Sequence, residues 1–214
     1  MREIRYTLLS DGSSDNALLP APTWLLREYL GARAIQAEWA DLRRLPEPPK
    51  KLTDRIQMAV DLYPCQLLFV HRDAETQSYE VRKGEILAAL SKLRFSPPPA
   101  VCVVPVRMQE AWLLIDECAP RRASGNPNGR QPLALPELAG LEQLPDPKQV
   151  LYDLLSQASG RTGRRLKKLR LNQCAKRVAD YVASFDSLRT LLAFRALEND
   201  IAQLVREQEW AMAP

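Results

Sequence analysis

Apolar runs and stretches of helical spacing alternate through about the first 108 residues, and no hairpin signal joins any two of the runs. The runs are EIRYTLLS at 3–10, ARAIQAEWADL at 32–42, CQLLFV at 65–70 and PPPAVCVVPVR at 97–107. Between them lie ALLPAPTWLLREYLG, LTDRIQMAVDLY and YEVRKGEILAALSKL. The second of these places apolar residues at 52, 56, 59, 60 and 63, the spacing of one helical face. Strands that alternate with helices and lack tight turns point to a parallel sheet, because each parallel return needs a crossover long enough to hold a helix. CQLLFV is almost wholly apolar, which suits a strand covered on both faces. The expected fold class is therefore α/β, a mainly parallel, Rossmann-like sheet flanked by helices.

Local punctuation agrees. DGSSDN, after the first run, is a turn and helix-start signal. Pro22 suits the first turn of a restarted helix, and Gly31 suits its close. MQEAWLLIDE, after the fourth run, reads as a short apolar helix. Residues 117–147 are rich in Pro, Gly and Asn, and read as an irregular insertion or linker. Residues 148–214 return to helical spacing and contain RTGRRLKKLR at 161–170. The chain thus divides into an α/β core at 1–116, the 117–147 segment, and a helical C-terminal region at 148–214.

Composition excludes several classes. Hydrophobic content of 46% with 26% charged residues is that of a soluble globular chain. No run approaches the roughly 20 apolar residues needed to cross a bilayer, and MREIRYTLLSDG reads as a first strand instead of a signal peptide. Four scattered cysteines with no CxxC pair suit a reducing, cytoplasmic setting. A single histidine excludes a multi-histidine metal site such as HExxH. The net charge of +4 is mild, but the 161–170 run holds six basic residues and no acid. Arg161, Arg164, Arg165, Lys167, Lys168 and Arg170 suit either a solvated helix face or contact with a phosphate backbone.

Ligands of parallel sheets gather beyond the carboxyl ends of the strands. Four acids stand there: Asp11 after the first run, Asp73 and Glu75 after the third, and Glu110 after the fourth. Converging carboxylates repel one another, and a divalent cation removes that cost. Magnesium takes oxygen ligands and keeps several waters, so two or three carboxylates suffice. Asp11 and Glu110 also suit helix starts in their own right. His71 reads as a strand-end residue that packs or orients a carboxylate. His71-Arg72-Asp73 matches a kinase catalytic loop only superficially, since Ser78 stands where that loop needs Asn. No GxxxxGK[ST] or GxGxxG is present.

An acid plus glycine after strand one, Asp73-x-Glu75 after strand three and a glutamate opening EAWLL after strand four resemble a Toprim-like domain. Toprim is the metal-binding fold shared by topoisomerases, primases and OLD-type nucleases. EAWLLID, Glu110 to Asp116, is similar to the EAWLLxD motif of an uncharacterised Toprim-like family. The resemblance covers about residues 1–116 and, more weakly, the helical tail. It implies Mg2+ (or Mn2+) at Asp73 and Glu75, with catalytic Asp11 and Glu110, and phosphodiester hydrolysis. It also implies an ATPase protein partner and a place in anti-phage defence. Family members carry a glutamate where Asp11 stands and Asp-x-Asp where Asp73-Ala74-Glu75 stands. Both changes keep the charge and alter the reach of each carboxylate.

The leading expectation is a metal-dependent nuclease. Arg72, or Lys83 on the next helix, would pair with phosphate oxygens, and the 161–170 run would contact nucleic acid, DNA or RNA. A non-catalytic module docking on a partner ATPase is the alternative. An enzyme acting on small phosphates is a third.

Overall fold

Strand β1 (Glu3–Leu9) is the inner strand from which the sheet grows both ways. It pairs with β2 (Ala34–Ala40) on one side and β3 (Leu67–His71) on the other, and β4 (Ala100–Val103) extends the sheet beyond β3. The order is β2-β1-β3-β4 and every pairing is parallel. The computed structural model describes residues 3–12 and 14–210. Ser13, within the DGSSDN turn signal, lies outside the described residues.

The crossovers are α1 (Pro20–Leu30), α2 (Leu52–Leu62) and α3 (Tyr79–Ser91). Strand β3 is buried from end to end, and its side chains alternate between two cores. Leu67 and Phe69 enter one core with Ile4, Tyr6 and Leu8. Leu68 and Val70 enter the other with Ile56 of α2 and Ile86 of α3. That alternation, with both faces covered, explains the continuous apolar run in the sequence.

The remaining helices are α4 (Cys118–Ala123), α5 (Pro147–Ala158), α6 (Gly163–Lys167), α7 (Leu171–Tyr181) and α8 (Leu192–Glu207). Helix α8 packs on β4 and α1, while α4, α5 and α7 pack together. The larger core runs without a break from Ile4 of β1 to Trp210 past α8. Trp112 meets Phe194 of α8 edge to face at 5.3 Å.

Three local expectations change. The helix restarts at Pro20, two residues before Pro22, after a 3-10 turn at Asp15–Leu18. MQEAWLLIDE forms a 3-10 turn, Gln109–Leu113, and no α-helix. All five of its residues are buried, and its first N–H is taken by Asp73. The 117–147 segment contains α4 and a 3-10 turn at Leu138–Gln143 between irregular stretches.

Candidate functional site

From β1 the chain crosses to β2 on one side, and from β2 it crosses back over β1 to β3 on the other, so the sheet reverses its order between β1 and β3. Such switch points open a crevice at the carboxyl ends of the strands. Leu9 stands opposite Val70 in this pair, so the loops after both strands emerge side by side.

The loop after β1 turns through Gly12 into the Asp15–Leu18 turn, which carries Asp15 under the strand ends. Asp15 is buried. Its Oδ2 accepts from the Gly12 N–H at 2.5 Å, and its Oδ1 from Gln109 Nε2 at 2.9 Å. A Cβ on Gly12 would collide with the Asp15 carboxylate, so only glycine permits this approach.

His71, the last residue of β3, is 2% exposed. Its Nδ1 faces the Val103 carbonyl at 2.9 Å, which requires that Nδ1 carry the hydrogen. Its Nε2 faces Asp73 Oδ1 at 3.6 Å and Asp15 Oδ2 at 3.8 Å, both beyond hydrogen-bond length. Burial pushes the ring's pKa down, against the pull of Asp15. The ring is therefore neutral, not the cationic half of an ion pair, and its Nε2 lone pair points at two carboxylates.

Beyond His71 the β3 chain continues its pairing with the chain after β4. Arg72 N–H donates to the Val103 carbonyl at 3.1 Å, Ala74 N–H to Pro105 at 3.0 Å, and Glu75 N–H to Arg107 at 2.8 Å. Glu75 and Arg107 adopt left-handed φ angles of 53° and 64°. Such residues cost on the order of 1–2 kcal/mol each. These linked turns bring the Gln109 N–H to Asp73 Oδ1 at 2.8 Å.

Burial, then the charges of Asp15, Glu110 and Glu75, push the Asp73 carboxyl up to about 8, against the Gln109 N–H. Burial also pushes Glu110 up. With no cation present, Asp73 thus holds a proton at neutral pH.

Each residue expected from the sequence has a distinct place. Asp73 is central. Glu110 is buried beside it and faces Lys148 and Asp146 at the start of α5. Asp11 and Glu75 stand at the rim of a cleft of about 240 Å³, with Asp15, His71 and Asp73 inside it. The Asp11 side chain is 45% exposed and pairs with Arg55 and with Arg72, the latter at 3.5 Å. The Glu75 side chain is 65% exposed and pairs with Arg82 at 3.0 Å. Arg72 lines the cleft and also pairs with Glu85. Lys83 does not reach the cleft; it pairs with Asp200 of α8 at 2.7 Å. Among the described residues, no group of three or more histidine, cysteine, aspartate or glutamate side chains is placed to hold a metal ion.

Arg164, Arg165 and Lys167 are exposed on α6. Arg161, Lys168 and Arg170 line a second cleft of about 340 Å³ with Ser124, Gln173 and Arg177. None of the six residues of the run pairs with a carboxylate among the described residues. The following helix, α7, packs on the turn that carries Asp15.

Asp15, Gln109 and the outward aim of His71 Nε2 are additions to the sequence reading. The signal for Asp15 was the second aspartate of DGSSDN. Compared with protein-family models, curated proteins and solved structures, the chain matches nothing.

Proposed function

We propose that this chain is a divalent-cation-dependent phosphodiesterase acting on nucleic acid, a Toprim-like nuclease. The observation that carries this reading is the convergence of buried Asp15 and Glu110 on Asp73 at the switch point, where burial and the neighbouring charges push the Asp73 carboxyl up to about 8. Crowded buried carboxylates are unfavourable alone and become favourable around a cation. The donor chemistry fits Mg2+ or Mn2+, both of which take carboxylate oxygens.

Asp73 and Asp15 would hold the ion, with Glu110 adding negative charge behind them. When bound, the ion would neutralise phosphate charge and lower the pKa of a coordinated water. Arg72 and Arg82 line the same cleft, and a guanidinium fork fits two phosphate oxygens. Their present partners, Glu85 and Glu75, hold both groups ready at the wall. Asp11 orients Arg72 and Arg55 in this reading, with Glu75 fixing Arg82. The unpaired 161–170 run would track the backbone away from the cleft, which makes binding salt-sensitive. The same resemblance supports an ATPase partner and a role in anti-phage defence.

The test is cleavage of single- and double-stranded DNA and RNA with Mn2+ or Mg2+, with and without chelator. Wild type should cleave at least one substrate. Asp73→Asn should fold and lose at least 100-fold in rate. Cleavage that survives both chelator and Asp73→Asn refutes the proposal. A chain inert towards cations and nucleic acids would instead fit the docking module.

A further inference from the structure

We propose that His71 Nε2 is a metal ligand, joining Asp15 and Asp73 in a mixed nitrogen–oxygen site for a divalent transition ion such as Mn2+. This inference rests on the metal-dependent reading above and deepens it, because an oxygen-only site would accept Mg2+ equally well.

The ring is fixed in the manner of a ligating imidazole. Its Nδ1–H donates to the Val103 carbonyl, which sets the tautomer and leaves the Nε2 lone pair free. That hydrogen bond is the only one the ring makes among the described residues. The side chain is 1% exposed, and the residue lines the cleft together with Asp15 and Asp73. A nitrogen lone pair with no donor within hydrogen-bond length is left unsatisfied, and an ion shared with Asp73 and Asp15 would satisfy it. The separations of 3.6 and 3.8 Å leave room for that ion. Two donors each about 2.1 Å from one ion stand about 3.0 to 4.2 Å apart, depending on the angle at the ion.

A second polar atom points the same way. Gln109 is buried, and its Nε2 is committed to Asp15 Oδ1. Its Oε1 is buried without a partner. A side-chain amide tied to one candidate ligand thus keeps an unused, buried acceptor beside the cleft. Imidazole nitrogen favours transition ions, whereas Mg2+ holds to oxygen.

The chain has one histidine, so an imidazole signal from bound metal needs no variant for its assignment. The experiment is pulsed electron paramagnetic resonance of Mn2+ bound to the tag-free full chain, grown with 14N- or 15N-histidine. The expected result is nitrogen modulation of the Mn2+ echo that changes with the histidine isotope. Mn2+ that binds with no isotope-sensitive modulation overturns His71 as a ligand and leaves the carboxylate reading of the function standing. No Mn2+ binding overturns both.

Discussion

Asp73 carries the charge problem of the site, and its environment makes a prediction with a definite sign. In the folded chain it keeps its proton up to about pH 8. In the unfolded chain a carboxyl ionises near 4. Between these values the folded chain holds a proton that the unfolded chain has released, so stability falls as pH rises. Glu110 acts in the same direction. His71 acts oppositely, since its folded pKa is lowered, but that contribution is lost only as pH drops through about 6.5. The window from pH 7 to 8 therefore belongs to the carboxyls. Thermal melts in chelator should lose roughly 1 kcal/mol across it, about 3 °C in Tm, and Asp73→Asn should flatten the slope. A wild-type Tm that rises across this window would contradict the assigned protonation.

At the scale of elements, the site depends on turns more than on the strands that precede them. The Asp15–Leu18 turn, the left-handed pair Glu75 and Arg107, and the Gln109–Leu113 turn each place one component. Gly12 is the tightest joint, because any Cβ there meets Asp15. Gly12→Ala should leave the sheet folded, cost about 1–3 kcal/mol, and weaken Mn2+ binding at least tenfold. Unchanged affinity in a folded variant would remove Asp15 from the site.

These turns also mark where the sequence stopped being readable. The parallel sheet was legible because CQLLFV and its neighbours alternate with helical spacing; β1, β2 and β4 fall within the expected runs, and β3 ends one residue past its run, at His71. Asp73 and Glu110 were legible as acids just past strand ends. Asp15 was not, because in DGSSDN the first aspartate is nearer the strand, yet the second is folded inward by the turn. EAWLL reads as helix from its apolar content, but its partners lie far along the chain. Asp73 holds its first N–H, and Phe194 holds Trp112. Contacts of that range leave no trace in local spacing.

For the molecule as a whole, the helical C-terminal region and the sheet share one core. The edge-to-face pair of Trp112 and Phe194 joins the turn after β4 to α8. Trp112 is 1% exposed and Phe194 fully buried. Trp112→Ala should cost about 3–5 kcal/mol, read by denaturant unfolding. One cooperative transition should persist, with α8 and the sheet melting together. Two separate transitions would contradict a shared core. No helix among the described residues is long and apolar enough to cross a membrane.

The central claim is that the switch-point carboxylates hold a divalent cation, and calorimetric titration of Mn2+ into wild type and Asp73→Asn tests it most directly. The account predicts one bound ion per wild-type chain. It also predicts release of about one proton near pH 7, read from the dependence of the heat on the buffer's ionisation enthalpy. The folded Asp73→Asn variant should lose at least 30-fold in affinity and release no proton. Wild type that takes up no Mn2+ at millimolar concentration, or a variant that binds it equally well, would contradict the account.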